Sequence, residues 1–228
     1  QLQRGFKVYR NICASCHSIE LVAFRNLEAL GFSEDEVKAI AAEYEVTDGP
    51  IADGEMFQRP GKPVDLIPGP YANDAEAALL NNGAVPPDFS LLAKARAVER
   101  GFPAFLFDVF TTYAENGPDY IYSLLTGYED EAPEDIEITD GTYYNPYFIA
   151  GPALAMAQPL WGDDVEYDDG TEATIEQQSK DVSAFMMWAA EPSLVERKSL
   201  GFRVIIFLLI FSVLLYLTKK KVFASLKN

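Results

Sequence analysis

One pentapeptide, Cys13-Ala14-Ser15-Cys16-His17, constrains this chain more than any other stretch. It holds both cysteines and the only histidine among the 228 residues. C-x-x-C-H is the attachment signature of a c-type haem. Two thiols three positions apart can form thioethers to the two vinyl groups of the haem, and the histidine that follows can ligate the iron. The sequence therefore predicts one covalently bound haem c, held by Cys13 and Cys16, with His17 as an axial ligand.

Two other uses of paired cysteines fit the sequence poorly. A thioredoxin-type redox pair would follow a strand, whereas Leu2, Phe6 and Tyr9 lie at helical spacing before the motif. A structural zinc site needs four ligands, and the chain has no further cysteine or histidine to supply them.

The charge of the chain is strongly asymmetric. The net charge is −17, yet residues 201–228 carry five cations and no acid, which leaves −22 on residues 1–200. Such an acidic body excludes nucleic acid as a partner and is suited to a basic protein. Two acidic runs, 129–137 and 163–169, are predicted to be solvated loops.

The C-terminal end of the chain has the composition of a membrane anchor. Residues 204–218 carry no charge, and Arg203 can extend its side chain to the interface, so the predicted span is about 201–218. Lys219, Lys220 and Lys221 follow directly and mark the cytoplasmic-type side. The acidic body is therefore expected on the opposite side of the bilayer.

Helical periodicity covers much of the acidic part of the chain. Helices are predicted over residues 2–16, 33–44, 73–83, 90–100, 103–114, 118–126 and 174–191. Residues 46–71 are rich in proline and glycine and are expected to form an ordered loop without regular structure. The predicted fold is mainly α: a c-type cytochrome haem domain with long loops over 1–192, then a single transmembrane helix within 193–228.

Local signals mark several of these helix ends. Ser33 with Glu36 and Thr174 with Gln177 each have the spacing of a capping box. Asn73 is a further N-cap candidate. The aromatic cluster at 143–148 is predicted to be core.

The second axial ligand is open on the residues alone. The candidates are a lysine, an open position, or one of the methionines Met56, Met156, Met186 and Met187. Met186 and Met187 lie in a helix and look like packing residues. Met156 lies in a segment bounded by glycine and proline, where a backbone can approach a flat cofactor closely.

Further motifs are spread along the chain, at residues 5–9, 81–88, 94–96, 119–128, 151–158 and 181–192. Together with the haem motif and the anchor, they make the chain resemble the cytochrome c1 family, the haem subunits of quinol–cytochrome c reductase (bc1) complexes. Residues 97–117 depart from the shorter mitochondrial pattern. This apolar insertion favours a bacterial inner membrane with a periplasmic haem domain over a mitochondrial inner membrane.

The resemblance implies a ligand set and a group of haem contacts. Met156 would be the sixth iron ligand. Asn81, Pro87, Arg96 and Tyr120 would line the haem, with Arg96 near a propionate.

The resemblance also implies a function. The chain would pass one electron from a Rieske iron–sulfur protein to a c-type cytochrome, beside cytochrome b in a dimeric complex, without being catalytic by itself. The alternative is a free membrane-anchored cytochrome or a cytochrome subunit of a terminal oxidase. A haem peroxidase needs an open iron site and polar distal groups, and the absence of a second histidine counts against it.

Overall fold

The computed structural model describes residues 1–98, 101–103 and 116–224. These residues fall into two compact units, the first formed by 1–98 and 116–192 and the second by 101–103 and 193–224. The mainly α fold class predicted from the sequence is confirmed.

The first unit is a set of helices joined by long loops. Its helices are α1 (Leu2–Asn11), α2 (Glu34–Ala42), α3 (Asp74–Leu80), α4 (Leu92–Ala95), α5 (Gly117–Thr126) and α6 (Ile175–Ala190). Two 3-10 segments, Cys13–Ser15 and Phe24–Leu30, lie between α1 and α2. The strands are short and pair antiparallel: β1 (Glu45–Asp48) with β2 (Phe57–Pro60), and β3 (Tyr143–Tyr144) with β4 (Ala153–Leu154).

The predicted caps largely determine where these helices begin. Ser33 and Glu36 form the full reciprocal capping box of α2. The Asn73 side chain accepts from the backbone of Glu76 at the start of α3. The Thr174 side chain caps α6 in the same way, by accepting from the backbone of Gln177. The predicted return bond from the Gln177 side chain is wrong, because that amide donates to Asp181 at 2.9 Å.

The core forms where α1 crosses α6. A Cβ added to Gly5 would lie only 2.1 Å from the backbone oxygen of Asp181, so glycine is what permits this close approach. Phe6 and Tyr9 on α1 place their rings 5.7 and 5.6 Å from the ring of Phe185 on α6. The apolar face of α6 is buried as well; it carries Val182, Phe185, Met186, Trp188 and Ala189.

An ion pair reinforces the same crossing. The Arg4 guanidinium donates to the Asp181 carboxylate at 2.8 Å, and the Asp181 side chain is fully buried. Arg4 also pairs with Asp169 and lies over the ring of Tyr167. Because a buried carboxylate without its partner is strongly destabilising, Arg4 fixes the register of α1 on α6.

Three expectations about secondary structure need correction or fall outside the described residues. The segment 46–71 is not entirely irregular, because β1 and β2 pair within it; Arg59 bridges Asp48 and Asp65 there. The helix predicted at 90–100 is shorter, since α4 covers only Leu92–Ala95. The helix predicted at 103–114 lies almost wholly outside the described residues.

The aromatic cluster at 143–148 is also not core. Tyr143 and Tyr147 are exposed, whereas the polar Asn145 between them is fully buried. Burial here follows the hydrogen bonds of the amide rather than the apolar area of the rings.

The second unit contains one long helix, α7 (Leu194–Ala224). Its 31 residues are long and apolar enough to cross a membrane. The predicted span at 201–218 lies entirely within α7. The three lysines after the span continue the same helix.

Candidate haem site

The haem motif forms a tight turn directly after α1. The backbone N–H groups of Cys16 and His17 both donate to the carbonyl oxygen of Cys13, at 3.0 and 2.8 Å. Both cysteines are free and partly buried. Burial, and to a smaller extent the neighbouring Cys16, raises the pKa of Cys13 to about 12. Two unpaired thiols held on one turn fit the thioether linkages of a c-type haem.

His17 is held in the protonation state and the orientation that an iron ligand needs. Its Nδ1 lies 2.8 Å from the carbonyl oxygen of Pro87, so we assign Nδ1–H as the donor. The lone pair of Nε2 then remains for a metal. Burial lowers the pKa of His17, against smaller opposing effects of Pro87 and Asp88, so the ring is neutral near pH 7. The ring also stacks on Phe89, with centroids 4.3 Å apart.

A residue of the core of the first unit also bonds to the backbone of His17. The Tyr9 hydroxyl on α1 donates to the carbonyl oxygen of His17 at 3.1 Å. This hydrogen bond connects the crossing of α1 and α6 to the haem motif.

Asp88 joins the loop that carries Pro87 to the chain just after His17. Its Oδ2 accepts from the Ser18 hydroxyl at 2.7 Å and from the Glu20 N–H at 2.9 Å, and its Oδ1 accepts from the Ser90 N–H at 2.8 Å. Burial raises the pKa of Asp88, but these hydrogen bonds outweigh burial and bring the pKa below its ordinary value. Asp88 therefore keeps the Pro87 carbonyl within reach of the imidazole. Asp88 belongs to the motif at 81–88, but its sequence context predicts no such role for it.

The environments of the four methionines differ sharply. Met56 is 57% exposed in the loop between β1 and β2, and Met186 is 1% exposed inside α6. Met187 and Met156 are both partly buried against the hydrophobic core, Met187 within α6. Of the four methionines, Met156 alone both packs against the core and lies in an irregular segment. Cys13 and Tyr120 pack against the same core.

The other predicted haem contacts are placed as follows. Pro87 contacts His17 through its carbonyl group. Tyr120 is partly buried on α5, and its hydroxyl accepts from the N–H of Ile149 at 3.3 Å. The Asn81 amide donates to the Tyr71 hydroxyl at 2.9 Å, just after α3. Arg96 follows α4 and is half-buried.

Two residues that sequence reasoning missed hold the segment around Met156. Asn145 donates from its amide to the carbonyl oxygen of Leu124 at 2.8 Å. The Tyr128 hydroxyl donates to the carbonyl oxygen of Met156 at 3.0 Å. The Asn-Pro step at 145–146 indicates only a local turn, in which the Asn145 side-chain oxygen accepts from the Tyr147 N–H at 3.0 Å; no local pattern indicates the bond to Leu124.

The sequence of the chain matches a known protein family along almost its whole length. The model of the Cytochrome C1 family matches residues 1–226. The chain belongs to the cytochrome c1 family. Members of this family are haem subunits of the bc1 complex and bind haem c, so the predicted cofactor is confirmed.

Individual relatives cover nearly the whole chain. It is 52% identical to "Cytochrome b/c1" of Bradyrhizobium diazoefficiens over 98% of this chain and 33% of that protein. It is 49% identical to "Cytochrome c1" of Blastochloris viridis over all of this chain and 82% of that protein. It is also 48% identical to "Cytochrome c1 1, heme protein, mitochondrial" of Arabidopsis thaliana, over 89% of this chain and 59% of that protein. The chain thus spans from one third to about four fifths of these relatives.

We expect Asp88→Asn to lower the free energy of unfolding of the haem-loaded protein by about 1–3 kcal/mol at pH 7. The substituted amide can accept hydrogen bonds on one atom only, so a donor from the Ser18–Glu20 side or from Ser90 loses its partner. Because the folded pKa of Asp88 lies below the unfolded one, its contribution is complete above the unfolded value. It disappears as the pH falls through the folded value, so the variant and the wild type should converge in acid.

Chemical denaturation at a series of pH values measures this effect. Asp53→Asn, a change of the same chemistry at an exposed position between β1 and β2, is the control. An equal loss in both variants would contradict the role assigned to Asp88.

Proposed function

We propose that this chain passes one electron at a time from a Rieske iron–sulfur protein to a c-type cytochrome, as a subunit of a bc1 complex. The observation that carries the proposal is the buried His17, hydrogen-bonded to Pro87 beside two free thiols, in a chain of the cytochrome c1 family.

The ligand set that supports this function is His17 with Met156. Of the methionines, Met156 combines partial burial against the core with an irregular backbone, whereas Met186 and Met187 are part of α6. When bound, a haem c with a histidine and a thioether ligand supplies a one-electron carrier of raised potential. With both axial positions filled, we infer that the chain is not catalytic by itself.

The remaining site residues are assigned to lining and orientation. Asn81, Pro87, Arg96 and Tyr120 would surround the haem, and the guanidinium of Arg96 would lie near a propionate. The Pro87 carbonyl accepts from Nδ1–H of His17, so Nε2 would be the nitrogen that ligates the iron.

The proposed partners follow from the family and from α7. The Bradyrhizobium relative is named as a cytochrome b/c1 protein, and we infer that this chain likewise works beside cytochrome b. We place α7 across a bacterial inner membrane, with the haem domain in the periplasm and the C-terminus in the cytoplasm. The complex would be a dimer. The mitochondrial inner membrane, with the haem domain in the intermembrane space, is the alternative.

The acidic runs are candidates for steering a basic cytochrome c. In the run 163–169, Asp168 pairs with Lys7 and Asp169 pairs with Arg4, so part of its charge is neutralised. Among the described residues, the run 129–137 makes no ion pair. The latter run is therefore the stronger candidate.

Purification through a tag on this chain tests its place in a complex. We expect a b-type cytochrome and an iron–sulfur protein to copurify, and a quinol to reduce the haem of this chain in the purified material. If the chain copurifies instead with a haem–copper oxidase, or alone, it is an oxidase subunit or a free carrier.

Met156→Leu tests the ligand set, because it removes the thioether while roughly keeping the side-chain volume. We expect loss of the Fe–S(Met) charge-transfer band and a fall in haem potential of at least ~0.1 V, within the range of about 0.8 V that axial ligands span. The matched control is Met56→Leu, at an exposed site. A band that survives Met156→Leu would show that another group is the ligand.

Steering is tested by the second-order rate of electron transfer to a basic cytochrome c across a salt series. A field of this kind raises association by ~10–10³-fold and weakens as salt shortens the Debye length to about 8 Å at physiological ionic strength. We expect a steep salt dependence that flattens when the acids of 129–137 become amides. The control neutralises Glu34 and Asp35, which already pair with Lys38. A flat dependence in the unmodified protein would contradict steering.

A further inference from the structure

Helix α5 and the residue that follows it, Gly127, both contact the segment that carries Met156. The Tyr120 hydroxyl accepts from the N–H of Ile149 at 3.3 Å. Gly127 lies so close to Tyr147 that an added Cβ would be 2.2 Å from the tyrosine ring. These contacts place Tyr147 and Ile149 of the segment against α5 and the residue after it.

Asn145 fastens the first part of that segment. Its side chain is fully buried, and its amide donates to the carbonyl oxygen of Leu124 at 2.8 Å, near the end of α5. Its own N–H donates to the carbonyl oxygen of Pro152 at 2.8 Å, which closes the segment into a loop. Strand β3 ends just before Asn145 and β4 begins just after Pro152, and their pairing closes the same loop.

Tyr128 reaches the methionine residue itself. It follows Gly127 just after α5, it is half-buried, and its hydroxyl donates to the carbonyl oxygen of Met156 at 3.0 Å. Leu124 in α5 and Tyr128 just after it thereby hold the two ends of the segment, Asn145 and Met156.

We propose that Tyr128 is the positioning residue for Met156, fixing the backbone of the methionine so that its thioether stays on the iron. This inference rests on the proposed ligation by Met156. A thioether is a neutral and weak ligand. The fraction of protein in which it is bound to the iron therefore depends on how tightly the backbone of Met156 is held. A hydrogen bond to the carbonyl group restricts that freedom without touching the sulfur.

Competition with imidazole measures how firmly Met156 is held. Imidazole is added to the ferric haem-loaded protein, and the loss of the Fe–S(Met) band reports displacement of the thioether. Tyr128→Phe keeps the ring and removes only the donor. We expect imidazole to bind this variant about tenfold more tightly than the wild type, the size expected for one net hydrogen bond.

The matched control is Tyr122→Phe on the same helix. Within the part of the chain that the structure describes, the Tyr122 hydroxyl makes no hydrogen bond, so its removal should leave imidazole binding unchanged. Unfolding is measured in parallel for both variants. A loss of unfolding free energy in Tyr128→Phe with unchanged imidazole affinity would assign Tyr128 to folding alone and overturn the proposal.

The outcome for Met156→Leu separates this inference from the proposed ligand set. If Met156→Leu keeps the charge-transfer band, Met156 is not the ligand and both fail together. If that variant loses the band while Tyr128→Phe behaves as the wild type, the ligand set stands and only the role of Tyr128 is wrong. A Tyr128→Phe protein with covalent haem but no band at all would be the strongest form of support.

Discussion

The close crossing of α1 and α6 is the contact on which the haem unit depends. Glycine at position 5 lets the two backbones approach, and the ion pair of the half-buried Arg4 with the fully buried Asp181 fixes their register. Tyr9 projects from α1 into the same core and bonds to the carbonyl oxygen of His17. The first helix and the haem motif are therefore positioned by the last helix of the unit, although most of the chain lies between them.

Much of this arrangement could be predicted from local sequence. The haem motif needs only five adjacent residues, and the caps at Ser33 and Asn73 act within one helical turn. The anchor is equally local, because length and lack of charge suffice to indicate it. Such features need no knowledge of distant partners.

What sequence reasoning missed depends on contacts between distant segments. Gln177 has the right spacing for a capping box, but its amide is taken by Asp181, which is itself fixed by Arg4. Asn145 is buried because a helix 21 residues earlier offers it a carbonyl oxygen. Asp88 and Tyr128 likewise matter through partners that no local pattern reveals.

The long interval between His17 and the segment of Met156 gives the proposed iron bonds a second consequence. With both residues on one iron, the haem closes a chain loop of roughly 140 residues and restricts the unfolded chain as a cross-link would. Because a thioether binds ferrous iron more strongly, that link is firmer after reduction. Each electron that arrives would then also make the polypeptide harder to unfold. The redox state of the carrier would thus be coupled to its stability against unfolding.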